Sequence, residues 1–404
     1  MGLKLRTVPG GTITSPRGFQ AGAAFAGMKT LGEDRRDLAI LYSETPCTAT
    51  GVFTSTKIKA APVVISQKHL AKGCAQAIVA NSGRSNAFTG EQGLEDAAEM
   101  AALTAAKLGL GPGEVLVAST GVTGVRLDME TIGAAIKGLT LSRQGGHDMA
   151  QAITTTDTFT KEEAIAFELG GREVTVGGIA KGAGMIHPDL CTLLCFLTTD
   201  AAVDGDFLRK AFRRVMAVSF NMLTIDGDTS PNDTVVLLAN GVAGNDPIRG
   251  GVGAEAFQRA LEGVCIHLAK CIARDGEGAT KLIEVTVEGA LTEQEARMAA
   301  RTVASSPLVK TAVYGADPNW GRILAAVGRS GAEVVESKID LFFDDICLLK
   351  GGTPLPFSRE EARAVLSRTE VPIRIYLNLG TAKGTAWGCD LTEEYIRLNS
   401  AYTT

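Results

Sequence analysis

The residues from Lys181 to Phe196, KGAGMIHPDLCTLLCF, set one hydroxyl, that of Thr192, between a glycine-rich turn and an apolar run. Glycines at 182 and 184 admit left-handed backbone or close approach, and Pro188 fixes its own φ and pushes His187 toward an extended conformation. The turn is therefore stiff. Leu193, Leu194, Cys195, Phe196 and Leu197 follow as a run suited to a strand buried on both faces. A threonine at such a junction has a fixed side chain, as a β-branched filler bonded to a nearby carbonyl or as a nucleophile. A nucleophile requires a base, and the four histidines, at 69, 147, 187 and 267, stand in unrelated contexts that signal no Ser-His-Asp arrangement. His187 is the nearest in sequence, with its reach limited by the adjacent proline.

Three other stretches carry chemical side chains. Ser119-Thr120-Gly121 ends a short apolar strand, where Gly121 lets a backbone N–H face inward and Thr120 offers a hydroxyl, the two donors an oxyanion needs. The same three residues also make an ordinary turn. Glu277 sits between Gly276 and Gly278, either as a surface acid or as a loop carboxylate able to approach a ligand. IDGDTSPNDT, at 225–234, holds three aspartates but lacks the spacing and the closing Glu of a calcium loop, so a turn is expected.

The elements that must position these residues follow from periodicity. Strands are expected at 38–42, continued by Val52 and Phe53, and at 62–66, 76–80, 115–118, 173–179, 193–197, 282–289, 308–314, 339–343 and 373–379. Helices are expected at 91–108, 129–139, 207–219 with Asp206 as N-cap, 257–274 and 292–304. ITTTDTFTK at 153–161 reads as a strand edge or exit turn, GADPNWGRI at 315–323 as a turn, and the polar end from Tyr395 as a segment that would fray unless tied down.

Composition bounds the function. The 404 residues include 40 Lys and Arg against 45 Asp and Glu, for a net charge of −5, which gives no basic footprint for nucleic acid or an anionic membrane. Eight scattered cysteines with no C-x-x-C pair suggest neither a zinc ribbon nor a disulfide framework and fit a reduced cytoplasm. No apolar run approaches the ~20 residues of a membrane span, and MGLKLRTVPGG lacks a secretory apolar stretch. Forty-seven glycines and 5% aromatic residues favour tight turns and close-packed sheets over an aromatic binding surface.

The chain resembles the ornithine acetyltransferase (glutamate N-acetyltransferase) family of arginine biosynthesis. That family's K-G-x-G-M-I-x-P, followed by Ala-Thr-Met-Leu, is met as Lys181, Gly182, Gly184, Met185, Ile186 and Pro188, then Cys191, Thr192, Leu193 and Leu194, with Cys191 in place of alanine. Further matches run from GVF-x-S at Gly51 through NSGRSNAFTG, DGDTSPNDT (Pro231 departing from the pattern), EGATK at 277–281 and GADPNWGRI to NSAY at 399–402.

The resemblance implies a layered α/β fold of that family's type, self-cleaved between Cys191 and Thr192 into an alpha chain, 1–191, and a beta chain, 192–404. The two stay associated as one catalytic unit, and two of each form the assembly. It implies that the freed amine of Thr192, with a reference pKa of about 7.7–8.0, takes the proton of its own hydroxyl. Thr192 then carries an acetyl group from N2-acetyl-L-ornithine to L-glutamate, and Thr120 and Gly121 stabilise the oxyanion. Thr155, with Thr156 beside it, Lys181, Glu277, Asn399 and Thr404 hold the substrates. Lys181 has the charge for an α-carboxylate and Glu277 for an amino group. No cofactor and no metal are implied, acetyl-CoA being a second donor in some members. Two other readings stand beside this one. An N-terminal-nucleophile aminopeptidase or amidase would let water replace glutamate, and an uncleaved binding protein would stay in one piece.

Overall fold

A computed structural model describes residues 4–29, 35–187 and 193–401. Its first sheet is built from β1 (Leu5–Thr7), β2 (Phe19–Ala24), β3 (Leu38–Phe53), β4 (Cys74–Asn81), β5 (Val115–Ser119), β6 (Lys161–Leu169), β7 (Arg172–Lys181), β8 (Leu194–Thr199) and β9 (Thr234–Ala239). Their spatial order is β1-β6-β7-β8-β9-β3-β4-β5, with β2 paired to β3. A second sheet, of order β13-β12-β11-β14-β10-β15, comprises β10 (Leu282–Ala290), β11 (Asp340–Phe343), β12 (Ile346–Lys350), β13 (Thr353–Pro354), β14 (Glu370–Tyr376) and β15 (Ala382–Cys389).

The expectation of a strand buried on both faces after Thr192 is met by β8. Cys195 and Leu197 pack in one core cluster with Leu208, Phe212 and Leu268, while Leu194 and Phe196 point the other way, to Met149 and Ile153. Alternate side chains of a strand leave by opposite faces, so helices on both sides of this sheet enclose it. On the first side the amphipathic helix Gly251–Arg274 buries Phe257, Leu261, Val264, Leu268 and Ile272, each contributing about 1.5–3 kcal/mol through area removed from water. That cluster continues into the second sheet through Ile283, Val285 and Ile373, so the two sheets share one core.

The cut expected at 191/192 falls between two neighbours in the first sheet. Lys181 of β7 pairs with Leu194 of β8, Leu194 pairs with Thr234 of β9, and β9 pairs with β3. Residues before and after position 191 are thus interleaved in a single hydrogen-bonded ladder.

Several expectations are corrected. Residues 62–66 belong to a helix, Ala61–Leu70, and residues 308–314 to a helix, Pro307–Tyr314. Both β-branched runs follow a proline in the first turn of the helix, where its fixed φ and missing N–H cost nothing. Asp204, not Asp206, caps the helix Gly205–Val218, accepting the N–H groups of Asp206 and Phe207. Residues 153–160 bend without joining the sheet, and β6 starts only at Lys161. The turn expected at 315–323 holds only for 315–319, and from Trp320 the chain is a helix, Trp320–Gly328, capped by Asn319. The tail from Glu393 to Ala401 is helical, with Thr392 Oγ1 giving its proton to Gly278 O.

Candidate functional site

The sheet gathers Thr120, Gly121, Thr155, Lys181, Glu277 and Asn399 around one cavity. They come from five places in the chain, so the sheet and the loops at its edges decide their meeting. Thr192, Cys191 and Thr404, expected as nucleophile, cleavage partner and substrate contact, lie outside the described residues. The flanking Leu193 is described: it is buried, gives its N–H to Asp233 Oδ1 at 3.2 Å, and accepts the Thr234 N–H at 3.1 Å.

Thr120 and Gly121 leave the end of β5. Thr120 gives its N–H to Asn81 O and Val122 gives its own to Gly83 O, leaving the Gly121 N–H between them without a described acceptor. Gly121 has φ +121, and a Cβ there would collide with the Gly83 carbonyl carbon. Only glycine fits so close to the neighbouring backbone. An N–H without an acceptor among the described residues, beside a threonine hydroxyl, is the donor pair that the sequence suggested.

Lys181, the last residue of β7, is buried, and its Nζ donates to Thr155 Oγ1 at 2.7 Å and to Thr120 Oγ1 at 3.5 Å. Burial pulls the ammonium below its ordinary pKa; Asp157 offsets this, Lys161 adds to it, and Glu277 and Asp233 offset it further. The site therefore concentrates both signs of charge in little water.

Glu277 is placed by its own N–H, which reaches Ala183 O at 2.7 Å, and by Asn399 Nδ2, which donates to Oε2 at 2.9 Å. Gly184 makes room for it, since a Cβ at 184 would stand 2.6 Å from Glu277 Oε2. The glycine of the K-G-x-G turn is thus explained by a carboxylate distant in sequence.

The 225–234 loop was expected to be only a turn, and it is more. Asp226 accepts the N–H groups of Met185 at 2.6 Å and Ile186 at 2.8 Å, holding Met185 at φ +56. Burial raises the Asp226 carboxyl above its usual range despite these donors. Asn232 Nδ2 donates to Ser85 O at 2.6 Å and Ser119 O at 2.9 Å, tying the loop to the Thr120–Gly121 turn. Asp233 is buried, its carboxyl pushed well up by desolvation. The Asp-rich composition of 225–234 was the available signal, and nothing in it named the partners. His187, the rival base, has Nδ1 3.3 Å from Thr224 Oγ1 and lines a different cavity. Among the described residues no group of three or more His, Cys, Asp or Glu side chains is arranged for a metal ion, and no helix is long and apolar enough to cross a membrane.

Comparison with known proteins shows the family. The family model "ArgJ family" matches residues 20–404. The arginine biosynthesis bifunctional protein ArgJ of Symbiobacterium thermophilum is 52% identical over 98% of this chain and 99% of its own length. Its namesake from Dehalococcoides mccartyi is 50% identical over 98% of each. A crystal structure of arginine biosynthesis bifunctional protein argJ from Bacillus halodurans matches at 49% identity and a TM-score of 0.50, covering 51% of this chain and 98% of that chain. With a family model over residues 20–404 and two relatives at least 50% identical over 98% of its length, the chain belongs to the ArgJ family.

Proposed function

We propose that this protein is an acetyltransferase of arginine biosynthesis, which moves the acetyl group of N2-acetyl-L-ornithine to L-glutamate through an acetyl ester on Thr192. The observation that carries the reading is the convergence of Thr120, Gly121, Lys181, Glu277 and Asn399 on one cavity, also lined by Asn232, whose neighbour Asp233 accepts the N–H of the residue that follows Thr192. Family membership and the relatives' printed name support it.

Maturation comes first. Thr192 Oγ attacks the Cys191 carbonyl carbon, the peptide C–N bond breaks, and the amine of Thr192 is released as an ester forms. Water then hydrolyses that ester, leaving a carboxylate on Cys191 and a free hydroxyl and amine on Thr192. The amine, with a reference pKa of about 7.7–8.0, takes the hydroxyl proton as Oγ attacks the acetyl carbonyl. The Thr120 hydroxyl and the Gly121 N–H meet the oxyanion, and the Thr192 amine returns the proton to the departing ornithine nitrogen; the glutamate amine then attacks the ester carbonyl, the C–Oγ bond breaks, and the Thr192 amine passes the glutamate nitrogen's proton to Oγ. Lys181 pairs with the α-carboxylate and Glu277 with the side-chain ammonium of ornithine. Thr155 and Asn399 orient these two, and Thr404 contributes from the end of the chain.

The interleaved ladder supports an alpha chain, 1–191, and a beta chain, 192–404, that remain together after scission. Two of each, in the cytoplasm, complete the reading. Intact-mass measurement is expected to give two fragments divided after Cys191, and N-acetylornithine to add one acetyl group to the 192–404 fragment. Acetyl-CoA supplied instead tests the second donor. A full-length chain that transfers acetyl at full rate, or a Thr192→Ala variant that does so, overturns the reading.

A further inference from the structure

Behind the cavity wall lies a group of charges with no contact to the cavity itself. Asp157, whose side chain is fully buried, accepts the Gly182 N–H at 2.7 Å and Lys161 Nζ at 2.6 Å through Oδ1. Its Oδ2 accepts the Thr155 N–H at 3.0 Å and stands 3.9 Å from Lys181 Nζ. A single carboxylate therefore fixes the backbone of Thr155, the backbone next to Lys181, and the Lys181 charge.

Asp157 is itself held. Lys161 Nζ bridges it to Asp275 Oδ2 at 2.5 Å and lies 4.9 Å from the Phe159 ring centroid. Asp275, directly after the helix Gly251–Arg274, also accepts the Thr158 N–H at 3.0 Å. The Lys161 and Asp157 side chains have no exposed surface, and Asp275 has almost none.

Four charges removed from water are costly, and apolar side chains of the same volume would join strand, loop and helix at least as well. Stability alone does not account for the network. What it supplies is position: Lys181 has three donor protons, Thr120 and Thr155 take two, and Lys181 lines the cavity, where a substrate carboxylate could accept the third.

We propose that Asp157 is a positioning residue of the acetyl-transfer site, holding Lys181 Nζ and Thr155 together as a preformed receptor for the substrate's α-carboxylate, with Lys161 and Asp275 holding Asp157 in turn. This rests on the acetyl-transfer reading above. Asp157, Glu277 and Asp233 are the anions that favour the Lys181 ammonium, and burial, Lys161 and Lys29, whose own ammonium burial lowers to about 8, oppose it. Losing Asp157 and losing Lys161 therefore act on Lys181 in opposite senses, which a scaffold role does not predict.

The test compares wild type, Asp157→Asn and Lys161→Gln, each confirmed as folded and cleaved, by the pH profile of kcat/KM for N-acetylornithine. N-acetylputrescine, which lacks the α-carboxylate, serves as a second donor. In Asp157→Asn the alkaline limb is expected to move down by at least one pH unit, and the preference for N-acetylornithine over N-acetylputrescine to fall at least tenfold. In Lys161→Gln the alkaline limb is expected to move up. An unmoved limb in Asp157→Asn, equal loss on both donors, or displacement of both variants in the same direction overturns the proposal. If Lys161→Gln does not fold, the limb and the donor ratio of Asp157→Asn decide alone. Wild type without acetyl transfer would sink the underlying reading instead, so the two failures are distinguishable.

Discussion

Leu193 gives its N–H to Asp233 Oδ1 at 3.2 Å, so the residue after Thr192 is tied to the far end of a loop whose near end, Asp226, holds Met185 and Ile186. One loop thus grips the chain on both sides of the expected cut. Asp233→Ala leaves a buried N–H without its acceptor, a loss of about 1–3 kcal/mol. Self-cleavage is expected to slow roughly tenfold, read from the time course of the full-length mass after synthesis. Cleavage at the wild-type rate removes the loop from the maturation step.

Gly121→Ala places a Cβ against the Gly83 carbonyl and forces the N–H away from the site. Loss of one oxyanion donor is expected to lower kcat by about 10²–10³. Steady-state kinetics on folded, cleaved variant check this, with KM for N-acetylornithine nearly unchanged.

Gly184→Ala would set a methyl group 2.6 Å from Glu277 Oε2 and displace the carboxylate from Asn399. If Glu277 receives the substrate ammonium, KM for N-acetylornithine rises about tenfold, the size of one weakened charge-assisted hydrogen bond. A donor lacking the side-chain amine is expected to be unaffected, and equal loss on both donors would exclude that role.

Acid should weaken the fold through Asp157. Burial by itself would raise this carboxyl, but Lys181 and Lys161 hold it down to about 2. A depressed folded pKa contributes stability above the unfolded value, near 3.9, and loses it as pH falls toward 2. The contribution is about 2 kcal/mol at neutral pH. Urea titrations from pH 6 to pH 2 should show this loss in wild type and its absence in Asp157→Asn.

Lys161→Met removes the cation shared by Asp157 and Asp275 and leaves Asp157 with Lys181, 3.9 Å away. Breaking a buried pair from one side costs about 3–5 kcal/mol, and calorimetry should record a correspondingly lower Tm. A Tm within a degree of wild type would show that the carboxylates rearrange.

Much of the scaffold was legible in residue order. Alternation marked 282–289 as a strand, 3.6-residue spacing marked 257–274 as a helix, and continuous apolarity marked 193–197 as a strand covered on both faces, observed as Leu194–Thr199. The helices Ala61–Leu70 and Pro307–Tyr314 were misread because Val63, Val64 and Ile65 in the one, and Val309, Thr311 and Val313 in the other, are β-branched residues with strand preference. The proline in each first turn was the better guide, since packing against neighbours overrides propensity in short segments.

The sequence by itself determined which side chains could do the chemistry. A fixed threonine, an inward-facing glycine, a lysine at a strand end and a carboxylate between glycines are each written locally, in residue type and adjacent turns. Only tertiary structure decided which of them meet and what stands behind them. Asp157 and Asp275 share Lys161 because strand β6 and the end of the helix Gly251–Arg274 lie side by side. Such a pairing leaves no periodic trace in the chain, since charge interactions depend on distance and burial rather than on position along the backbone.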